Sequence, residues 1–382
     1  MIYLDHNATT PLDPGVLEAM TPYLTARFGN ASSYHELGRQ ARDAVEEARH
    51  RVAACLGAQD GEIVFTGSGT EADNLALRGV AQARRECGRH ILTSRVEHPA
   101  VLRTCQDLER EGFEVTFLPV DGRGVVDPDD LARALRPDTV LVSVMAANNE
   151  TGALQPIRQL GALARQRRIP FHTDAVQAVG KEAIDVGDLQ VNLLSLSAHK
   201  VHGPQGVGAL YVRAGTPLQP LVTGGEQEGG RRAGTENVAG IVGLGEALSR
   251  ATATLAAQAP RLRALRDRLE AGVRARLAGV TVNAAAAPRV ANTASLSFAA
   301  VDGEAVLLHL DLRGICAATG SACTTGSAEP SHVLLAMGLE PRLAQGTVRF
   351  SLGCGNTEAE VDQTVEALAE IVPALRAISP FT

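Results

Sequence analysis

The chain of 382 residues reads as an α/β protein: a large domain built on a mostly parallel, seven-stranded sheet, followed by a smaller α+β domain. Three observations predict this. First, seven short apolar runs occupy residues 62–66, 90–94, 114–118, 139–145, 170–173, 193–197 and 207–212, with helical patterns at 41–56, 70–86, 99–111, 128–135 and 157–168 around the earlier ones. Strands alternating with helices form parallel sheets covered on both faces. Second, only a Gly/Pro/His loop joins the last two runs, so an antiparallel strand is expected there. Third, the texture changes after Gly240. Two helical patterns, 241–258 and 260–277, come first, with Pro260 opening the second. A strand at 293–298, a helix near 303–313, a Gly/Ser/Thr/Ala-rich stretch at 317–328, a strand at 347–352 and a last helix at 357–377 complete the chain. The expected division is 12–257 for the large domain and 258–382 for the small one, with segment 1–11 packing against the latter.

Composition narrows the function. With 36 Lys+Arg against 43 Asp+Glu the formal charge is −7, which gives no basic footing for nucleic acid. There is no Trp, and 4 Tyr with 8 Phe make poor base-stacking platforms. No apolar stretch long enough to span a bilayer is present, and the first residues lack a secretory pattern, so no membrane contact and a cytoplasmic location are expected. The six cysteines (Cys55, Cys87, Cys105, Cys316, Cys323, Cys354) form no Cys-x-x-Cys pair, so no resident metal or cluster is expected. Cys55, Cys105 and Cys316 read as buried small hydrophobes.

The chemistry-bearing motifs sit at strand ends. Gly67-Ser68-Gly69-Thr70-Glu71-Ala72 follows a strand and opens a helix, whose unpaired amides and dipole suit an anion such as a phosphate. The same residues fit a capped Gly turn, and loosely the dinucleotide fingerprint G-x-G-x-x-A. Asp174 and Gln177 follow the run at 170–173, where open α/β sheets bind ligands; Asp174 as a helix N-cap is the alternative. Ser197-Ala198-His199-Lys200 ends the next strand among small residues, where a desolvated lysine becomes a Schiff-base candidate rather than a solvated loop lysine. His98 before Pro99, and Asn149 after the run at 139–145, lie at the same edge. Arg349 is an arginine inside an apolar strand, so it wants a carboxylate from the protein or a substrate. An anion-binding helix start, a reactive lysine and an acid together suit pyridoxal phosphate, whose ring stores electrons when its nitrogen stays protonated. Cys323, among Thr319-Gly320-Ser321-Ala322 and Thr324-Thr325-Gly326-Ser327, has neighbours too small to build a core and reads as a nucleophile on a mobile loop. Cys354, between Gly353 and Gly355, is the rival loop thiol, on what reads as a tethered turn.

In this order the motifs resemble the cysteine desulfurases of the NifS/IscS type, a class V aminotransferase-like group of fold-type-I pyridoxal phosphate enzymes. The resemblance runs end to end: Tyr3-Leu4-Asp5-His6-Asn7-Ala8-Thr9-Thr10-Pro11, Phe28-Gly29-Asn30-Ala31-Ser32-Ser33, Ala147-Asn148-Asn149-Glu150-Thr151-Gly152 and His172-Thr173-Asp174-Ala175-Val176-Gln177 carry it in the first half. Ser197-Ala198-His199-Lys200, Arg231-Arg232-Ala233-Gly234-Thr235-Glu236-Asn237 and Gly320-Ser321-Ala322-Cys323-Thr324 continue it. It implies a homodimer binding pyridoxal 5′-phosphate. Lys200 would attach the cofactor covalently, Asp174 pair with the ring nitrogen, Gln177 meet the ring hydroxyl and His98 stack on the ring and, as a catalytic residue with Lys200 and Cys323, shuttle protons. Gly69, Thr70, Ser197 and His199 would cradle the phosphate, with Thr235 supplied by the partner subunit; Asn149 would touch both cofactor and substrate, holding the substrate carboxylate with Arg349. It implies removal of sulfur from L-cysteine, giving L-alanine and a persulfide on Cys323. That sulfur would pass to an acceptor protein, an iron–sulfur scaffold or a tRNA-thiolation enzyme, with Cys323 meeting a cluster only transiently through its persulfide.

The sequence departs from the family at three places. Gly67 stands where Thr or Ser is usual, Cys354 occupies an unexpected position, and the chain ends soon after its last helix. A selenocysteine lyase or another class V enzyme would share Lys200 and Asp174. A nicotinamide-dependent dehydrogenase using Gly67–Ala72 would leave Lys200 and Cys323 unexplained.

Overall fold

In the computed structural model, which describes residues 1–320 and 330–379, all seven apolar runs become strands of one sheet. In chain order the strands are β1 (Ile2–Tyr3), β2 (Ile63–Thr66), β3 (His90–Ser94), β4 (Glu114–Leu118), β5 (Thr139–Ser143), β6 (Phe171–Asp174), β7 (Leu193–Ser197), β8 (Gly208–Val212), β9 (Val280–Val282), β10 (Thr293–Phe298), β11 (Ile315–Cys316) and β12 (Thr347–Ser351). The large sheet has the order β2-β8-β7-β6-β5-β3-β4. Strand β8 runs antiparallel to both neighbours, as its short Gly/Pro/His connection predicts, and the other pairings are parallel.

Alternation along the strands explains the two-sided burial. Ile63 and Phe65 of β2 enter one core with Val45 and Val52 of helix Glu36–Leu56, whereas Val64 enters the opposite core with Leu75 and Val80 of helix Gly69–Ala83. A separate core surrounds the antiparallel sheet β12-β10-β9, where Leu296, Phe298, Val348 and Phe350 meet Leu368 and Val372 of helix Glu358–Ile378. Ile2 and Leu4 belong to this separate core through β1, which pairs in parallel with β11. Residues beyond them cross to the large sheet: the Thr10 amide donates to the His199 carbonyl at 3.0 Å, and the Asp13 amide to that of His202 at 3.0 Å.

Two local expectations are corrected, and one alternative reading falls away. The two helices around Pro260 are one helix, Val238–Arg276, with the proline inside it. The carbonyl that the proline leaves without a donor belongs to exposed Ala256, so water can satisfy it. No helix follows Asp174, whose carboxylate instead accepts the Val176 amide at 2.9 Å within a turn. Cys105 is fully buried, but Cys55 and Cys316 are only half-buried.

Candidate active site

The carboxyl-end edge of the large sheet gathers the predicted residues. Helix Gly69–Ala83 starts directly after β2, with the Ser68 hydroxyl accepting the Glu71 amide at 3.1 Å. Glu71 in turn accepts the Gly67 amide at 2.7 Å and is held by Arg232 at 2.8 Å, so the loop between strand and helix is fastened from both sides. Gly69 is required by a close approach: a Cβ there would lie 2.8 Å from Val176 Cγ2 and 3.3 Å from Ser197 Cβ. The helix start is thereby pressed against the ends of β6 and β7, which carry Asp174 and Ser197.

His98 caps helix Pro99–Arg110, its Nδ1 accepting the Ala100 amide at 3.1 Å, which leaves Nε2 to carry the proton of the neutral ring. Burial holds the imidazole below its ordinary value, opposed by the Asp174 carboxylate nearby. Burial raises the Asp174 carboxyl, and the His98 and Lys200 charges pull it back down. These three groups therefore share one electrostatic environment. Lys200 closes the short helix Ala198–Lys200, and its Nζ donates to the carbonyls of Asn7 at 2.6 Å and Ala8 at 2.7 Å. His199 Nδ1 lies 3.2 Å from Thr9 Oγ1, and burial depresses its ring to about 4, so it is neutral at physiological pH.

Gln177 donates from Nε2 to the Asn7 carbonyl at 2.9 Å. On β12, buried Arg349 binds the Asn149 carbonyl at 2.9 Å and Asp5 Oδ1 at 2.8 Å, while its Nε has no partner among the described residues. The strand-borne arginine thus has its protein carboxylate and still keeps one donor unused. Thr235 is exposed, and the contacts within this chain do not bring it to the cluster. Cys323 lies outside the described residues.

Several site-forming residues escaped the sequence reading. Asn7 is the hub: besides the two carbonyl contacts, its Oδ1 accepts from Lys181 Nζ at 2.9 Å and its Nδ2 donates to Thr293 Oγ1 at 2.9 Å. Lys181, whose ammonium burial disfavours strongly, also donates to Gln177 Oε1 at 2.5 Å. Glu97, beside His98, is buried and pushed up to about 8, with Oε1 taking the Ser94 hydroxyl at 2.6 Å and Oε2 left without a partner among the described residues. Asp73 is buried beneath Asp174, and burial followed by that neighbour's charge raises it well above the usual carboxylate range. Asp73 had a signal in the sequence, since it stands on the apolar face of its helix, four residues after Gly69. Asn7 and Lys181 had none, because their partners lie more than a hundred residues away or across a turn.

Together these groups offer an amine, a buried acid, a neutral imidazole and an anion-accepting helix start around one crevice. That set suits amine–carbonyl chemistry coupled to proton transfer. The aminotransferase class-V family pattern matches residues 2–364. The chain belongs to that family. A cysteine desulfurase IscS from Dictyoglomus turgidum is 51% identical over 380 residues, covering 100% of this chain and 96% of that protein. Among solved structures, a NifS-like protein superposes with a TM-score of 0.92 at 40% identity, covering 98% of this chain and 100% of that one. A structure described as SspA in complex with cysteine gives a TM-score of 0.82 at 38% identity, covering 92% and 99%. The family resemblance read from the motifs is borne out, and this member of the class-V family stands with the cysteine desulfurases.

Proposed function

We propose that this enzyme removes sulfur from L-cysteine with pyridoxal 5′-phosphate, releasing L-alanine and leaving a persulfide on Cys323. The observation that carries this reading is the Lys200–Asp174–His98 cluster at the carboxyl ends of the parallel strands β7, β6 and β3.

The residues present fit the cofactor. Gly69 leaves no space for a side chain at the helix start, so its amides can approach a phosphate closely. Thr70, Ser197 and neutral His199 complete that cradle, with Thr235 coming from the partner copy of a homodimer. Buried Asp174 suits a protonated ring nitrogen, Gln177 the ring hydroxyl, and His98 the ring face. When bound, the cofactor supplies an electron sink for charge developing at the substrate Cα. Lys200 would hold it covalently, and its Nζ would take the Cα proton of the substrate. Arg349, with its unused Nε, and Asn149 orient the substrate carboxylate. The Cys323 thiolate attacks the substrate sulfur: the new S–S bond forms as the Cβ–S bond breaks, and the three-carbon product becomes alanine after protonation.

The same reading divides the chain into units 12–257 and 258–382 and places the enzyme in the cytoplasm. An acceptor protein for iron–sulfur assembly or tRNA thiolation then takes the sulfur. No helix among the described residues is long and apolar enough to cross a membrane. Incubation of the yellow, borohydride-sensitive protein with L-cysteine and a thiol reductant should give alanine and sulfide in equal amounts. Sulfide without alanine, or no product, would overturn the proposal.

A further inference from the structure

A cavity of about 460 Å³ lies on the side of Lys200 that faces the long helix Val238–Arg276. Its wall includes His6, Lys181, Lys200, His202, Arg250 and Cys354. The desulfuration chemistry uses only Lys200 of these. Cys354 Sγ lies 3.8 Å from His202 Nε2. His202 Nδ1 lies 3.0 Å from the Pro11 carbonyl oxygen, which can only accept, so Nδ1 carries the ring proton and Nε2 turns a lone pair toward the thiol. A nucleophile, a base and a group that orients the base are thus in line.

The backbone holds this arrangement at a cost. His202 has φ +64°, in the left-handed region that non-glycine residues rarely adopt. It is pinned there by its amide to Thr10 Oγ1 at 2.7 Å and by the Asp13 amide on its carbonyl at 3.0 Å. The Cys354 thiol is held below its ordinary value, first by the His202 hydrogen bond, and His202 is raised by the same contact. The other charged or titratable groups around the pair are Asp13 with its partner Arg250, His6, Lys181 and Lys200 on the cavity wall, and Arg261, whose Nη1 binds the Cys354 carbonyl at 3.0 Å.

A second observation points to a ligand. His6 is 7% exposed, its ring centroid is 6.0 Å from that of His202, and its Nδ1 has no partner among the described residues. Burial depresses its ring to about 4, so a neutral imidazole with an unused polar atom borders the cavity. The volume suits a small organic molecule.

We infer that Cys354 and His202 form a reactive thiol–imidazole pair that accepts low-molecular-weight disulfides from this cavity, making Cys354 a redox modification site. In the exchange the Cys354 proton moves to His202 Nε2 and Sγ attacks one sulfur of the disulfide. The Cys354 S–S bond forms, the reagent S–S bond breaks, and the leaving thiolate takes the proton back. Cys354 is oxidised while half of the reagent is reduced to a thiol, so no further oxidant is needed.

The test labels the cofactor-loaded enzyme with 2-hydroxyethyl disulfide and follows Cys354 and Cys87, both exposed, by peptide mapping from pH 6 to 9.5. Cys323 is read as its own peptide. Cys354 should label at least about ten-fold faster than Cys87 at pH 7, because the adjacent imidazole favours its thiolate, the attacking form. His202→Asn, a residue tolerant of positive φ but without a base, should bring the two rates together. Equal rates in the unaltered enzyme, or an unchanged ratio in that variant, would overturn the inference. The unaltered-enzyme profile decides the matter even if the variant fails to fold.

Discussion

Two regions of the molecule bury charge in opposite ways. Beside β2, Arg49 and Glu228 form a two-armed pair at 2.8 and 2.9 Å, with the guanidinium also binding the Ile63 carbonyl at 2.8 Å. The Phe65 amide donates to Glu228 at 2.9 Å, and the guanidinium carbon lies 4.8 Å from the Phe65 ring centroid. Around Lys200, by contrast, Glu97 and Arg349 each keep a buried polar atom without a hydrogen-bond partner among the described residues. A saturated pair is a structural joint, whereas unmet hydrogen-bonding capacity beside a reactive amine marks where something else can complete the bonding. Burial of charge alone does not locate a site, and neither does unspent capacity alone, since Arg84 Nε and Glu236 Oε2 also lack a hydrogen-bond partner among the described residues; the two together around Lys200 do.

That contrast can be broken by experiment. The largest effect is expected on the site side: Lys200→Ala should lower alanine formation from cysteine by at least about a thousand-fold while the thermal unfolding of the protein shifts only slightly. Cys323→Ser should bind L-cysteine and lose turnover comparably. Measurable turnover in either variant would count against its assigned role. On the joint side, Arg49→Ala leaves the buried Glu228 carboxylate unpaired and should cost about 3–5 kcal/mol in urea unfolding. Its KM for cysteine should not move; a changed KM with unchanged stability would erase the distinction.

Arg349→Lys keeps the charge but not the fork. It should raise KM for cysteine about ten-fold with a smaller change in kcat, since the lost contacts orient the carboxylate in ground and transition states alike. A fall in kcat alone would assign Arg349 elsewhere.

The smallest effect concerns pH. Glu97 titrates near 8 in the folded protein against an ordinary value of 4.5, so between these values the folded state binds more protons than the unfolded one. Its contribution to stability is therefore present below about 4.5 and declines as pH rises toward 8. His6 and His199, held neutral by burial down to about 4, push the other way below their ordinary 6.5. Comparing Glu97→Gln with the unaltered protein cancels those histidines. The variant should gain relative stability between pH 5.5 and 8, and a constant difference would show that Glu97 ionises normally.

The amino-acid pattern alone determined the sheet, its one antiparallel strand and the strand-end positions of His98, Asn149, Asp174, Ser197 and Lys200, because periodicity and turn chemistry are local properties of the chain. It also placed Arg349 on a buried strand. Pro260 misled, since a proline both starts helices and survives inside one whose freed carbonyl meets water, and only the surroundings of Ala256 distinguish these. The tertiary structure decided the rest. Asn7 became the hub because the segment after β1 leaves the small sheet's core and crosses to Lys200, almost two hundred residues along the chain. Cys354 met His202 because a turn after β12 packs on the loop after Lys200. Contacts of that range have no period, spacing or composition to betray them; they follow from which apolar faces pack together, a property of the whole folded chain.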